Sequence, residues 1–546
     1  MTINVVNRFA ELLKSYGIDR AYGLPGEDHM PMLAALEAAG ITYITASNES
    51  SAVIMASTDA LISGKPGVAI VSMATGVSNA VNGVVHAYME GAPVLLVSGR
   101  WTAARESIVV RQGFDPERLV NPCTKWTVTM RTNDDPAQIL VKAIDIATSD
   151  RPGPVYIELP DEIGELEVKA INNEISKPLK KRLATWMEVK ENRQLEASEF
   201  KAISDALSAA KRPAVILCGR YNSVNRATIE KFADKFHAAV FTSPGQKGVI
   251  NEDHDFFAGS FLNGNPELEL LKKADFVLAF NPEGFDILNR AWPQIDKTHA
   301  VSAFPLNEWV IPFPIRYEAS PEWVLKALVE KASSGKSEWT EKDISEYRTN
   351  LVKTLLGTPG KEMSVVEAVY ASLQAAPKNV RITADAGFSK PLITILSNSH
   401  GPRHFMASNA LSTMGFGIPA SVGSGMADKD PVLGFMGDGS MLMRATELVV
   451  TRYMKNKPVS VVIMDKSLSQ IEIKQERRGL NEIGIDLPAL SCEVIAKGFG
   501  CEGVDVYDTE SLSKAVADAF KSGKATLIGA HVDGSDSRRL FDIMRG

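Results

Sequence analysis

Pro431-Val-Leu-Gly-Phe-Met-Gly-Asp-Gly-Ser440 is the stretch from which the rest of the chain is read. Pro431 to Met436 is an apolar run suited to a strand buried in a parallel sheet. Met441 to Met454 carries a helical period through Leu442, Ala445, Leu448, Val449 and Arg452. A second buried strand, Pro458 to Met464, ends at Asp465. Strand, glycine-flanked carboxylate, helix, strand and second carboxylate together make one βαβ unit.

The strands of a parallel sheet end at the same edge, and ligands gather there. Asp438 and Asp465 each follow their strand directly, so they can face one another at that edge. Gly437 and Gly439 permit close backbone approach, and the helix start behind them attracts phosphate. Two hard oxygen ligands beside a phosphate site suggest Mg2+ holding a diphosphate. A Gly-Asp-Gly of this kind is also compatible with a simple turn.

The stretch resembles the motif of thiamin-diphosphate (ThDP) enzymes, in which Gly-Asp-Gly is followed some 25 residues later by Asn-Asn. Met464-Asp465 stands in place of Asn-Asn, which keeps an oxygen ligand at the metal position. The resemblance implies that Asp438, Asp465 and the main-chain carbonyl of Ser467 hold Mg2+, with Gly439 and Ser440 at the diphosphate.

Length and composition are those of an ordinary globular protein. At about 150 residues per domain, 546 residues make three or four domains. The chain is 45% hydrophobic and 23% charged, with a net charge of −7. That balance argues against a nucleic-acid partner. Cys123, Cys218, Cys492 and Cys501 show no metal-like spacing and read as buried thiols of a reducing compartment. No signal-peptide pattern or membrane span is read, and the expected location is cytoplasmic.

Residues 1–168 alternate strand and helix, the pattern of a doubly wound parallel sheet. Strands are expected at 21–24, 42–46, 67–73 and 93–99, with 74–79 a turn of small residues before a helix over 81–88. Glu49 opens a helix directly after the second strand. Taken alone, it reads as a first-turn carboxylate complementing the helix dipole. In the resembled decarboxylase and acetohydroxyacid synthase group, a glutamate here hydrogen-bonds the aminopyrimidine and so promotes proton removal from the thiazolium carbon. The resemblance therefore makes Glu49 the catalytic and cofactor-binding carboxylate, with Asn48 where the family often has His, and Asn79 in the cofactor-binding set. Glu27 falls where pyruvate decarboxylases carry a proton-relay aspartate. Arg111-Gln112-Gly113-Phe114-Asp115 resembles a segment of acetolactate synthases, which places Gln112 against the substrate.

The charged stretch 169–194 reads as a linker. Residues 190–335 resemble the family's central domain, which binds FAD or ADP in some relatives. No Gly-x-Gly-x-x-Gly fingerprint occurs here, so FAD is not favoured and a structural role is expected. Residues 360–546 form the diphosphate- and Mg2+-binding domain. In it Asp385 closes a strand beside the phosphate cradle. Met414 aligns with the apolar wedge that bends ThDP, and the Ser412 carbonyl would accept from its amino group. Gln470 and Glu472 begin a segment that lines the substrate pocket in relatives. Gln470 is assigned to catalysis, whereas an exposed helical face is the preferred reading of Glu472. His29, His400 and His404 remain unplaced.

The expected fold is α/β with three doubly wound parallel-sheet domains (pyrimidine-binding, central Rossmann-like, diphosphate-binding). The resemblance implies a homodimer with shared active sites, commonly a homotetramer. The preferred function is decarboxylation of a 2-oxo acid and transfer of the acyl unit to a carbonyl acceptor. The alternatives are simple decarboxylation, cleavage of an acyloin or diketone, and non-catalytic ThDP binding.

Overall fold

The computed structural model describes residues 2–108, 110–149, 151–169, 193–219, 224–335 and 337–545. The linker expected over 169–194 lies outside the described residues from 170 to 192. Three six-stranded sheets, each wholly parallel, account for the architecture.

The first sheet contains β1 (Arg20–Gly23), β2 (Thr42–Thr45), β3 (Gly67–Val71), β4 (Val94–Arg100), β5 (Trp126–Thr129) and β6 (Val155–Pro160), in the spatial order β2-β1-β3-β4-β6-β5. The middle sheet contains β7 (Pro213–Leu217), β8 (Ala239–Thr242), β9 (Phe257–Ser260), β10 (Phe276–Phe280), β11 (Thr298–Ser302) and β12 (Ile315–Glu318), ordered β9-β8-β7-β10-β11-β12. The third contains β13 (Arg381–Ala384), β14 (Phe405–Ala407), β15 (Val432–Gly437), β16 (Val459–Met464), β17 (Glu502–Val506) and β18 (Thr526–His531), ordered β14-β13-β15-β16-β18-β17. The first and third sheets are thus wound identically, while the middle one follows the dinucleotide-fold order. The central strands are apolar throughout and buried on both faces, as helix-covered parallel sheets require.

Helices α1 (Glu49–Ser63) and α2 (Thr75–Glu90) cover one face of the first sheet. α2 starts well before the helix expected over 81–88. The turn read over 74–79 is confined to Ala74, whose left-handed φ of 53° releases the chain directly into the helix. Small polar residues at a helix start resemble a turn in sequence because both favour local side-chain hydrogen bonds.

In the third region, α3 (Ser389–Leu396), α4 (Gly417–Ala427), α5 (Asp438–Arg444), α6 (Ser469–Arg477) and α7 (Ser537–Arg545) surround the sheet. The helix expected over 441–454 is α5 followed by a tighter 3-10 stretch over Ala445–Tyr453. α1 packs between α2 and α4. A Cβ on Gly83 would sit 2.5 Å from the Ser50 carbonyl oxygen, and one on Gly423 would sit 2.6 Å from that of Met55. Glycine is therefore what lets both neighbours approach α1 backbone to backbone.

The regions interlock. The Glu90 carboxylate accepts from the Asn409 and Ala410 N–H groups at 2.6 and 2.8 Å. Between the middle and third regions, Lys247 donates to Glu252 at 2.9 Å and to the Ser397 carbonyl at 3.0 Å, with both charged side chains buried. No described helix is long and apolar enough to cross a membrane.

Candidate active site

The third sheet reverses its strand order between β13 and β15, and a cavity of about 360 Å³ opens there. Ligands of open α/β sheets bind at such a reversal, outside the carboxyl ends of the strands. Asp438 follows β15 and Asp465 follows β16, adjacent strands that pair at Gly437 and Ile463. Both carboxylates line the cavity together with Ser467.

Backbone amides fix the Asp438 carboxylate: Gly439 donates to Oδ1 and Lys466 to Oδ2, each at 2.8 Å. Ser467 N–H donates to Asp465 Oδ1 at 3.3 Å, and the Ser469 hydroxyl donates to its Oδ2. Burial pushes Asp465 up to about 6, against the Ser469 hydrogen bond and with help from the Asp438 charge. Burial also raises Asp438, although three backbone hydrogen bonds oppose it. Two carboxylates that hinder each other's ionisation gain from a shared cation. Among the described residues no group of three or more His, Cys, Asp or Glu could hold an ion. An ion here would therefore complete its shell with the Ser467 carbonyl, ligand oxygens and water, which is how Mg2+ is usually held beside phosphates.

The donor side of the site is backbone. α3 and α5 both begin at the cavity, and neither N-cap residue makes a side-chain capping bond. Apart from Gly439, whose N–H is held by Asp438, and Pro391, which has none, the first-turn N–H groups are without side-chain caps, as an anion site at a helix start requires. A Cβ on Gly437 would meet nothing, but one on Gly439 would lie 2.9 Å from Leu468 and 3.6 Å from the Met414 methyl. Gly439 leaves room for the Leu468 side chain, and Leu468 and Met414 both line the cavity.

Strained backbone clusters at the same place. Ser412 and Lys466 hold φ values of 54° and 60°, unfavourable for residues with a Cβ. Such strain costs on the order of 1–3 kcal/mol per residue and gathers at sites where it sets geometry. Ser412 lines the cavity, and Lys466 lies between Asp465 and Ser467.

Of the residues singled out in the sequence, Ser412, Met414, Asp438, Gly439, Ser440, Asp465, Ser467 and Gln470 meet around this one cavity. Asp385 lies behind its wall, where it accepts from Ala386 and Gly417 N–H groups, both at 2.7 Å. Burial pushes its carboxyl up to about 6. Glu472 is half-buried and accepts from the Ser467 hydroxyl at 2.6 Å.

The residues from the first region are elsewhere in the chain. Glu49 opens α1, 6% exposed, and accepts from the Asn79 side chain at 3.2 Å, but neither lines the cavity. Glu27 is exposed, and Gln112 is half-buried in a loop with φ 62°. His29 is buried at the reversal of the first sheet and accepts from Gly26 N–H at 3.1 Å. His404 pairs with Asp430 at 3.4 Å. The His400 carbonyl accepts from Arg226 at 3.0 Å.

Sequence reasoning missed the outer wall. Asp286, Ile287 and Leu288 of the middle region line the cavity, as do Met544 and Arg545 of α7. No local motif marks them, because only tertiary packing brings them there.

Comparison with known proteins matches this arrangement along the chain. Residues 3–119 match the thiamine pyrophosphate enzyme N-terminal TPP-binding domain, 200–300 the central domain, and 385–530 the C-terminal TPP-binding domain. A probable 2-ketoarginine decarboxylase of Pseudomonas aeruginosa is 23% identical, covering 96% of this chain and 94% of the relative. An acetolactate synthase of Bacillus subtilis is 24% identical, covering 98% and 95%. The large subunit of acetolactate synthase isozyme 2 of Escherichia coli is 25% identical, covering 83% and 81%. With thiamine pyrophosphate enzyme models matching its first, middle and third regions in order, the chain belongs to the thiamin-diphosphate-dependent enzymes.

Proposed function

We propose that the protein decarboxylates a 2-oxo acid on Mg2+-ThDP and transfers the remaining acyl unit to a carbonyl acceptor. The observation that carries this reading is the pair Asp438 and Asp465 at neighbouring strand ends, inside one cavity with the uncapped starts of α3 and α5 and the side chain of Gln470. The relatives named as acetolactate synthases support carboligation as the outcome.

When bound, ThDP supplies the nucleophilic carbon and the electron sink that decarboxylation needs. Asp438, Asp465 and the Ser467 carbonyl would hold Mg2+, and the uncapped starts of α3 and α5, with Ser440, would hold the diphosphate. Asp385 keeps this cradle in place through the Ala386 and Gly417 amides. Met414 would pack against the cofactor, and the Ser412 carbonyl would accept from its amino group. Glu49, its carboxylate oriented by the Asn79 side chain, would hold a proton at the pyrimidine end of the cofactor. Gln470 and Gln112 donate to substrate oxygens, and Glu27 relays a proton near the reacting carbons.

Glu49 does not line the cavity of its own chain. We therefore assign the pyrimidine end of each cofactor to the partner subunit's Glu49, in a homodimer that pairs further into a tetramer. Domain limits of 1–168, 190–335 and 360–546 and a cytoplasmic location belong to the same reading. The middle region is given a structural role rather than a flavin.

Simple decarboxylation is the second reading, favoured by the 2-ketoarginine decarboxylase relative. Incubation with Mg2+, ThDP and 2-oxo acids, followed by proton NMR, separates the two. Acyloin or acetohydroxy acid signals support carboligation, and free aldehyde alone supports decarboxylation. Bound ThDP with no product from any 2-oxo acid would overturn both and leave cleavage of a preformed carbon–carbon bond.

A further inference from the structure

The outer half of the cavity is not explained by cofactor binding. Its wall is made by the middle-region loop at Asp286 and by helices α3, α6 and α7. Arg545, on α7, lines it with its guanidinium 5.5 Å from the centroid of the Phe541 ring. Lys390, in the first turn of α3, also lines it and donates to the Ser408 carbonyl at 3.0 Å. Neither cation makes an ion pair within 4.0 Å among the described residues. Lys474 stands one turn beyond Gln470 on α6, hence on the same helix face, and is exposed.

These cations sense one another. Burial holds both lysines below the ordinary ammonium range, and the Arg545 charge adds to that in each case. Glu90 and Asp286 partly offset this at Lys390, whereas Arg478 reinforces it at Lys474. Among the described residues Asp286 is the one acid lining the outer wall, and it is already engaged. Its Oδ2 accepts from the Ser243 hydroxyl and from Gly245 N–H at 3.2 Å. Its Oδ1 is shut off from water and has no partner, so a ligand in the cavity cannot reach it. Glu90, Asp286 and Asp385 thus balance Lys390, whereas no described acid pairs with Arg545 or Lys474. Like charges held around one mouth repel, and an anion between them relieves the repulsion. A guanidinium is suited to a two-pronged grip on an oxyanion.

We propose that Arg545, backed by Lys390 and Lys474, binds a second oxyanion at the far end of the substrate, so that the preferred substrate is a 2-oxo acid with an anionic side chain. This rests on the 2-oxo acid reading above.

The test is CO2 release by the Mg2+-ThDP holoenzyme with 2-oxoglutarate, 3-phosphonopyruvate, uncharged 2-oxopentanoate and cationic 5-guanidino-2-oxopentanoate. We expect kcat/KM for a distal anion to exceed that for 2-oxopentanoate by at least about tenfold, the effect of one charged hydrogen bond. A lead for 2-oxoglutarate identifies a carboxylate and one for 3-phosphonopyruvate a phosphonate. In Arg545→Gln the ratio should fall toward one through KM, with partial retention in Arg545→Lys. Preference for the guanidino substrate would overturn the proposal. So would an equal loss for all substrates in Arg545→Gln, which would put Arg545 at the carboxylate that departs.

Calorimetric titration of the loaded protein with glutarate, which cannot react, supplies a readout independent of turnover. Glutarate should bind wild type at least about tenfold more tightly than Arg545→Gln. Arg545-dependent glutarate binding without turnover of any 2-oxo acid would overturn the reaction and keep the anion site. Turnover without glutarate binding would overturn the anion site alone.

Discussion

The first and third sheets have the same winding and opposite fates at the point where the strand order reverses. In the third, the crevice is open, about 360 Å³, and edged with carboxylates raised by burial. In the first, the chain leaving β1 packs over the strand ends, and the space beside Asp28 and His29 is only about 20 Å³. Asp28 is held there: its Oδ2 accepts from Met73 N–H at 2.8 Å, and its Oδ1 lies 3.3 Å from His29. Burial pushes Asp28 up, but the hydrogen bond and charge of His29 and the Met73 amide outweigh it and hold the carboxyl below its ordinary range. One winding therefore serves as a ligand site where its acids lack cationic partners and as a packed support where its acid is satisfied.

The sharpest way to break this comparison is at Glu49, the buried carboxylate at the start of α1. Glu49→Gln should lower turnover on the order of 10²–10⁴-fold, the usual weight of a positioned proton-transfer group. Fluorescence titration should show ThDP still bound. Full activity in the variant would sink the assigned role.

In the open crevice, Asp438→Asn should weaken Mg2+ on the order of 10–100-fold or more, since even supporting residues of metal sites have effects of that size. Half-saturation of activity and of ThDP binding by Mg2+ measures it. An unchanged Mg2+ requirement would remove Asp438 from the ligand set.

In the closed crevice, Asp28→Ala leaves the buried Met73 N–H without an acceptor and should cost roughly 1–3 kcal/mol of stability. Urea unfolding reads that loss, while ThDP affinity of the folded variant should stay within about twofold, well under one charged hydrogen bond. A large loss of ThDP affinity would mean that the two crevices are not separate in function.

The smallest effect distinguishes the crevices by sign. Asp465 is raised to about 6 in the folded chain, against about 3.9 for an unfolded aspartate. Between those values the metal-free fold takes up the proton more readily than the unfolded chain, so this group favours folding more as the pH falls. Asp28 is lowered, so its stabilisation is complete above about pH 4 and is lost on further acidification. Without metal, Asp465→Asn should melt roughly 2 °C above wild type at pH 7, with the gap narrowing by pH 5. A gap that widens on acidification would contradict the assignment.

Much of the third region was readable because its chemistry is local. A buried strand, a glycine-flanked acid and an amphipathic helix follow one another within Pro431 to Tyr453, and the second acid closes the next strand. The start of α2 was less readable, since Thr75, Gly76, Ser78 and Asn79 suit a turn and a helix start equally in sequence. The outer wall could not be read at all. Asp286 and Arg545 meet only because the Gly264 loop carries the C-terminal helix, with Asn265 donating to the Met544 carbonyl at 3.1 Å and to that of Asp542 at 3.1 Å. Nor does anything local announce that Ser412 and Lys466 take left-handed backbone, because neither is a glycine or asparagine.

Helix α1 is buried at every residue from Glu49 to Leu61, with neighbours on all sides rather than one apolar stripe. A rod enclosed in this way cannot open without parting the first region from the third. Its amides should therefore be among the last in the molecule to exchange with deuterium, releasing only on global unfolding. The carboxylate at its tip is carried by one of the least yielding elements of the fold. Its position is then set by the shared core, and loop motion around the mouth can admit or release small molecules without displacing it.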